Sequence, residues 1–132
     1  MANSTATASA VSGLLLSSDR TQKIVRAYVS VVVGAGNYVT GGLTLDVTPI
    51  TKNLPVAKPI FSSFSSQKAA ASPNTNAYIY QFSKGTTLAN GTLQIFGQSA
   101  SAGIAELTGG GATPSGVTGD TIVGYIDFQL GT

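Results

Sequence analysis

The 132-residue chain contains no cysteine, no histidine and no tryptophan. Without cysteine it has neither a disulfide framework nor a thiolate for metal or covalent chemistry. Without histidine, the Ser-His-Asp and Cys-His nucleophile arrangements are closed, and so is zinc ligation by imidazole. Charge is scarce as well: charged residues make up 9% of the chain, against about 25% in an ordinary soluble domain. The formal charge of +2 rests on seven basic residues spread along the chain, so the high pI of 9.0 reflects few acids rather than a basic patch. A nucleic-acid footprint is therefore not expected. The longest apolar runs, Leu14 to Leu16 and Val31 to Val33, fall far short of the ~18 residues that a membrane span needs. The N-terminus also has no basic region ahead of an apolar one, so a secretory leader and a membrane association are not expected either.

What the chain has instead is glycine, 16 residues, and hydroxyls, 31 serines and threonines together. A surface solvated by hydroxyls has little electrostatic protection against association, so part of it is expected to be covered by partners. Its length corresponds to one domain, able to bury roughly two-thirds of its unfolded surface without staples. The strongest pattern runs from Lys23 to Val33. Val25, Ala27, Val29, Val31 and Val33 share one face at period two, with Arg26, Tyr28 and Ser30 on the other, which describes a half-buried strand. Leu43, Leu45 and Val47 repeat the alternation with Thr44 and Asp46 outward. The adjacent Gly41 and Gly42 permit backbone angles closed to other residues, suiting a sharp re-entry into a sheet.

Residues 1–21 form a Ser/Thr/Ala-rich segment whose apolar anchors are Val11, Leu14, Leu15 and Leu16. It reads either as a disordered terminus or as an arm that orders against a neighbour through those leucines. The stretch Thr48 to Pro59 carries three prolines, which argue against a helix or central strand and for a loop or covered edge. Ile60 to Phe64 suits a short strand. Ala77 to Phe82 and Thr92 to Phe96 suit a hairpin joined by a loop that includes Gly85 and ends on Asn90-Gly91, the pair favoured in tight two-residue turns. Ile104 to Leu107 suits another strand, and Leu107 to Gly119 a flexible loop. In the closing strand, Thr121 to Leu130, Ile122, Gly124, Ile126, Phe128 and Leu130 face one side, opposite Val123, Tyr125, Asp127 and Gln129. The expected fold is all-β: an antiparallel β-sandwich or partly open barrel, jelly-roll-like, with an N-terminal arm at 1–21 and a single β domain at 22–132.

Five carboxylates remain for acid-base chemistry: Asp19, Asp46, Glu106, Asp120 and Asp127. Asp46 and Asp127 face outward and would meet only if their strands were neighbours, so no catalytic, cofactor-binding or metal-binding residue is assigned and an enzyme is not expected. Gly109-Gly-Gly111 lacks the Gly-Lys-Ser/Thr continuation of a phosphate loop, and Gly34-Ala-Gly36 precedes no helix; both read as turns. Tyr78, Tyr80 and Phe82 share one strand face, which suits sheet packing or a protein contact, with a sugar-binding face as the milder reading. The candidate partner contacts are thus Val11, Leu14, Leu15, Leu16, Tyr78 and Tyr80.

The order Tyr38-Val-Thr-Gly41-Gly42-Leu43, then Tyr78-Ile-Tyr80, then Asn90-Gly91-Thr-Leu93-Gln94-Ile-Phe96, then Ala102-Gly103-Ile-Ala-Glu106-Leu107 and a terminal strand resembles small structural proteins of tailed bacteriophages. The resemblance covers about Lys23 to Leu130. The Thr48 to Pro59 stretch and the Ser65 to Asn76 loop depart from it. It implies a virion component, a capsid decoration (cement) protein made in the host cytoplasm and bound to the outside of a shell of major capsid protein. It further implies a homo-oligomer, a trimer in the first instance, with no cofactor. The alternative is a carbohydrate- or receptor-binding β-module of a virion.

Overall fold

The computed structural model describes residues 2–19, 24–51, 57–66, 78–99 and 103–130, with side chains of 12–19 and 98–99 left aside. The strands are β1 (Ala6–Asp19), β2 (Ile24–Val33), β3 (Leu43–Asp46), β4 (Ala57–Ser66), β5 (Ile79–Ser83), β6 (Gly91–Ser99), β7 (Gly103–Glu106) and β8 (Ile122–Leu130). They form one eight-stranded sheet in the order β4-β8-β2-β1-β3-β6-β5, with β7 added to β6. The sheet curls until its two ends, β4 and β5, lie against each other, giving a nearly closed barrel. All pairings are antiparallel except β1 with β3, where Ala6 meets Leu45 and Thr7 meets Asp46. The all-β, partly open barrel is the architecture expected; the sheet is mixed rather than purely antiparallel.

The barrel interior collects the alternating rows. Val29, Val31, Leu45, Leu93, Ile95, Ile122, Ile126 and Phe128 are completely buried. Each such side chain stabilises the fold by about 1.5–3 kcal/mol relative to exposure. The period-two reading of β2, β3 and β8 therefore corresponds to the inward face.

Three local expectations differ from the structure. Residues 6–19, inside the segment set apart as an arm, form β1, which pairs with β2 on one side and β3 on the other. Over its first residues the alternation is weak because the buried position is the small Ala8. Within the proline-rich stretch, Thr48–Thr51 make one helical turn, α1. Pro49 is tolerated because it sits in the first turn, where its missing N–H has no intrahelical acceptor to lose. Pro59 belongs to β4, at the sheet edge, where a missing donor is also tolerated. The glycine-rich loop before β8 holds a second turn, α2 (Ser115–Thr118), and is tied down by Tyr38 N–H to Gly111 O (2.9 Å) and Thr113 N–H to Gly36 O (2.8 Å). Ser83 pairs with Thr92, so Asn90-Gly91 ends a longer loop and does not itself form a two-residue turn. Asn90 organises that loop by accepting from the Thr87 N–H and donating to Thr86 Oγ1. Gly91 serves packing: a Cβ there would lie 2.7 Å from Cε1 of Phe82.

The Tyr38 to Leu43 element acquires a specific role. Gly41 and Gly42 adopt φ of +95° and +113°, the positive angles anticipated for the re-entry. Strand β6 is joined by β3 through Leu93 and by β7 through Phe96, leaving Ile95 between the two ladders. There the Tyr38 hydroxyl accepts the Ile95 N–H at 3.1 Å and donates to Glu106 Oε1 at 2.8 Å. The Gly41 N–H donates to the same Glu106 oxygen at 2.7 Å. One phenol thus satisfies a buried donor where the ladder is interrupted.

Candidate functional site

The outer surface of β4, β8 and β2 carries an aromatic row. Register places Arg26 opposite Asp127, and Tyr28 opposite Tyr125, across β2 and β8. Asp127 and Tyr125 in turn face Phe61 and Ser63 of β4. Phe61 lies outward because a bulge between Pro59 and Phe61 inserts Ile60 as an extra residue, re-aiming the strand. Ile60 and Phe61 are 47% and 61% exposed.

Tyr125 is the centre of the row. The Arg26 guanidinium sits 3.9 Å above its ring, Tyr28 packs edge-on at 6.5 Å and Phe61 lies nearly parallel at 6.3 Å. Arg26 donates twice to Asp127, Nε to Oδ1 at 2.8 Å and Nη2 to Oδ2 at 3.1 Å. Those hydrogen bonds push the Arg26 pKa above its ordinary value and keep the guanidinium charged. This fork holds the Tyr125 ring in place. Beside it, a groove of about 370 Å³ is lined by Val11, Tyr28, Ser63, Ser65, Val123 and the Gly124-Tyr125 segment.

A second feature is the seam between β4 and β5. Among the described residues no ladder joins these two end strands. Inside, the seam is bridged by Phe64 and Phe82, edge to face at 6.4 Å. Outside, it opens as a cleft of about 440 Å³ flanked by Ile60, Phe61, Gln81 and Lys84. Ile79, on β5, is 51% exposed but is not among the residues lining the cleft. The lining is mixed, apolar at Ile60 and Phe61 and polar at Ser62, Ser63, Gln81 and Lys84, with no acid among the described residues.

The expected contact residues fare unequally. Val11 lines the groove. The side chains of Leu14, Leu15 and Leu16 lie outside the described residues. Tyr80 does not offer a contact: it is 4% exposed and its hydroxyl donates to Asp120 Oδ2 at 2.9 Å. Burial, then that hydrogen bond, pushes its pKa well above the usual phenol range. Tyr78 is half-buried, its ring within 3.0 Å of where side chains on Gly97 and Gly116 would begin. Tyr28, Phe61 and Tyr125 are the accessible aromatics of this surface. The outward periodicity of β2 and β8 marked Tyr28 and Tyr125, but nothing in it paired the two strands.

The four described carboxylates occupy separate places. Asp46 accepts from the Thr48 hydroxyl and N–H, which lower its pKa. Glu106 serves Tyr38, Asp120 serves Tyr80 and Asp127 serves Arg26. Asp46 and Asp127 lie on strands that are not neighbours. Among the described residues no group of three or more His, Cys, Asp or Glu side chains is placed to hold a metal ion. No family model, curated protein or solved structure matches the chain.

Proposed function

We infer that this chain is a structural protein that works by burying surface against other proteins, in the role of a decoration protein on the outside of a phage capsid shell. The observation that carries the reading is the open seam. It combines two strand edges that no ladder joins among the described residues with the exposed side chains of Ile60 and Phe61. Strand edges are ready templates for another chain, and natural proteins ordinarily guard them with charge. Here Lys58 and Pro59 guard one end of β4, while Phe61-Ser-Ser-Phe-Ser-Ser66 has no charge. Covering these two side chains, each already about half-buried, is worth about 1–2 kcal/mol each, a fraction of the value for full burial. Modest contacts of this size accumulate when a protein occupies many equivalent lattice sites.

The partner in this reading is the major capsid protein, and the decoration protein binds it as a homo-oligomer, with a trimer as the first form to test. The experiment is co-sedimentation with shells lacking the protein. Wild type is expected to bind at saturable stoichiometry, and Phe61→Ser to weaken binding by about tenfold or more. A folded wild-type chain that ignores shells, or a Phe61→Ser variant with unchanged occupancy, would refute the seam as the docking surface.

A further inference from the structure

We propose that the outer groove beside Tyr125 binds a neutral sugar ring. Its volume of about 370 Å³ lies within the ~300–1,000 Å³ of small-ligand sites. Tyr28 and Tyr125 supply aromatic wall, Val11 and Val123 apolar wall, and Ser63 and Ser65 exposed hydroxyls.

Charge decides the class of ligand. Among the described residues no charged side chain lines the groove. Arg26, which lies over the Tyr125 ring, is already matched by Asp127 through two hydrogen bonds. An ionic ligand, or a charged peptide, would lose water here and gain no counter-charge. A wholly apolar ligand would match the aromatic and valine walls but cover the exposed hydroxyls of Ser63 and Ser65 without pairing them. A pyranose ring meets both demands: its C–H face packs on an aromatic wall, and its hydroxyl rim exchanges hydrogen bonds with serine and tyrosine hydroxyls.

The platform is also set in advance. Arg26, Tyr28 and Phe61 contact Tyr125 from three sides, so its ring loses little freedom when a ligand arrives. A groove this shallow and neutral gives weak binding, in the millimolar range, which repetition on a surface would strengthen. The site is distinct from the seam, with the β4 ridge at Phe61 and Ser63 between them.

The test is an NMR titration of the full chain with maltose, cellobiose, lactose and chitobiose. At least one should shift the Tyr28 and Tyr125 ring resonances saturably, with saturation transfer to pyranose C–H protons. Ser65→Leu fills the groove from an exposed position without touching the aromatic row, and Tyr125→Leu removes the platform. Each should weaken binding about tenfold or more while the spectrum stays dispersed. No saturable shift with any of the four sugars, or a shift that survives Ser65→Leu in a folded chain, overturns the proposal.

Discussion

Replacing Tyr38 with Phe isolates one hydroxyl in a completely described setting. The ring stays, so the packing of a side chain that is 1% exposed is preserved. What disappears is the acceptor for the Ile95 N–H and the donor to Glu106. Ile95 is fully buried, and an orphaned buried N–H costs about 1–3 kcal/mol. Losing a hydrogen bond to a carboxylate adds about 1.5 kcal/mol, the low end of the range for charged partners, because Glu106 keeps the Gly41 N–H. The expected loss is about 2.5–4.5 kcal/mol. At roughly 3.5 °C per kcal/mol for a chain of this length, Tm should fall by about 9–16 °C.

Alkaline pH supplies an independent signature of the same hydroxyl. Burial raises the Tyr38 pKa from its ordinary 10.0 to about 12, with the hydrogen bond to Glu106 adding to the shift. The folded state therefore keeps this proton when the unfolded chain has lost it. Its contribution is whole below pH 10 and is lost as pH climbs from 10 to 12, at about 1.4 kcal/mol per pH unit. Tyr38→Phe lacks that contribution, so the stability gap between the two proteins should narrow through this window. Denaturant melts at pH 7 and between pH 9.5 and about 12 measure both effects. A loss below about 1 kcal/mol at neutral pH, or a gap that does not narrow, would refute the assignment of Tyr38 as the acceptor at the ladder break.

Gly124→Ala should cost about 1–3 kcal/mol or more, since its Cβ would meet the Ser63 carbonyl oxygen and lie 2.7 Å from Phe64 Cδ1. Gly111→Ala, whose Cβ would find only the Thr108 oxygen at 3.8 Å, should stay within about 0.5 kcal/mol in the same thermal melts. Equal effects would show that β4 does not pass as close to β8 as described. Tyr80→Phe leaves Asp120 buried with no side-chain partner, because its Oδ1 already has none, and should cost about 2–4 kcal/mol by urea denaturation. Asp120→Asn keeps an oxygen for the Tyr80 hydroxyl and should cost less; the reverse order would count against the pair.

Much of the barrel was legible because alternation is a local property. The inward rows of β2, β3 and β8 follow from period two alone, as does the outward placing of Arg26, Tyr28, Tyr125 and Asp127. Gly41 and Gly42 were readable for the same reason, since only backbone freedom is at stake. The start of β1 was not readable, because its buried position there is a small residue, Ala8, which carries little periodic signal. Gly91 misled in another way: its value lies in the ring of Phe82 above it, a contact invisible in an Asn-Gly dipeptide.

The aromatic face shows where local information ends. Residues 26 and 127, or 28 and 125, meet only because β2 and β8 are neighbours, and strand order is set by how rows of side chains close into one core. The same closure turned Tyr80 inward to Asp120 and Phe61 outward over a bulge. Composition and periodicity determined a weakly charged, histidine-free and cysteine-free β-chain with defined inner and outer rows. Which outer residues stand together, and which tyrosines are left to meet a ligand, was decided by long-range pairing, because hydrogen-bond register couples residues a hundred positions apart that no local pattern connects.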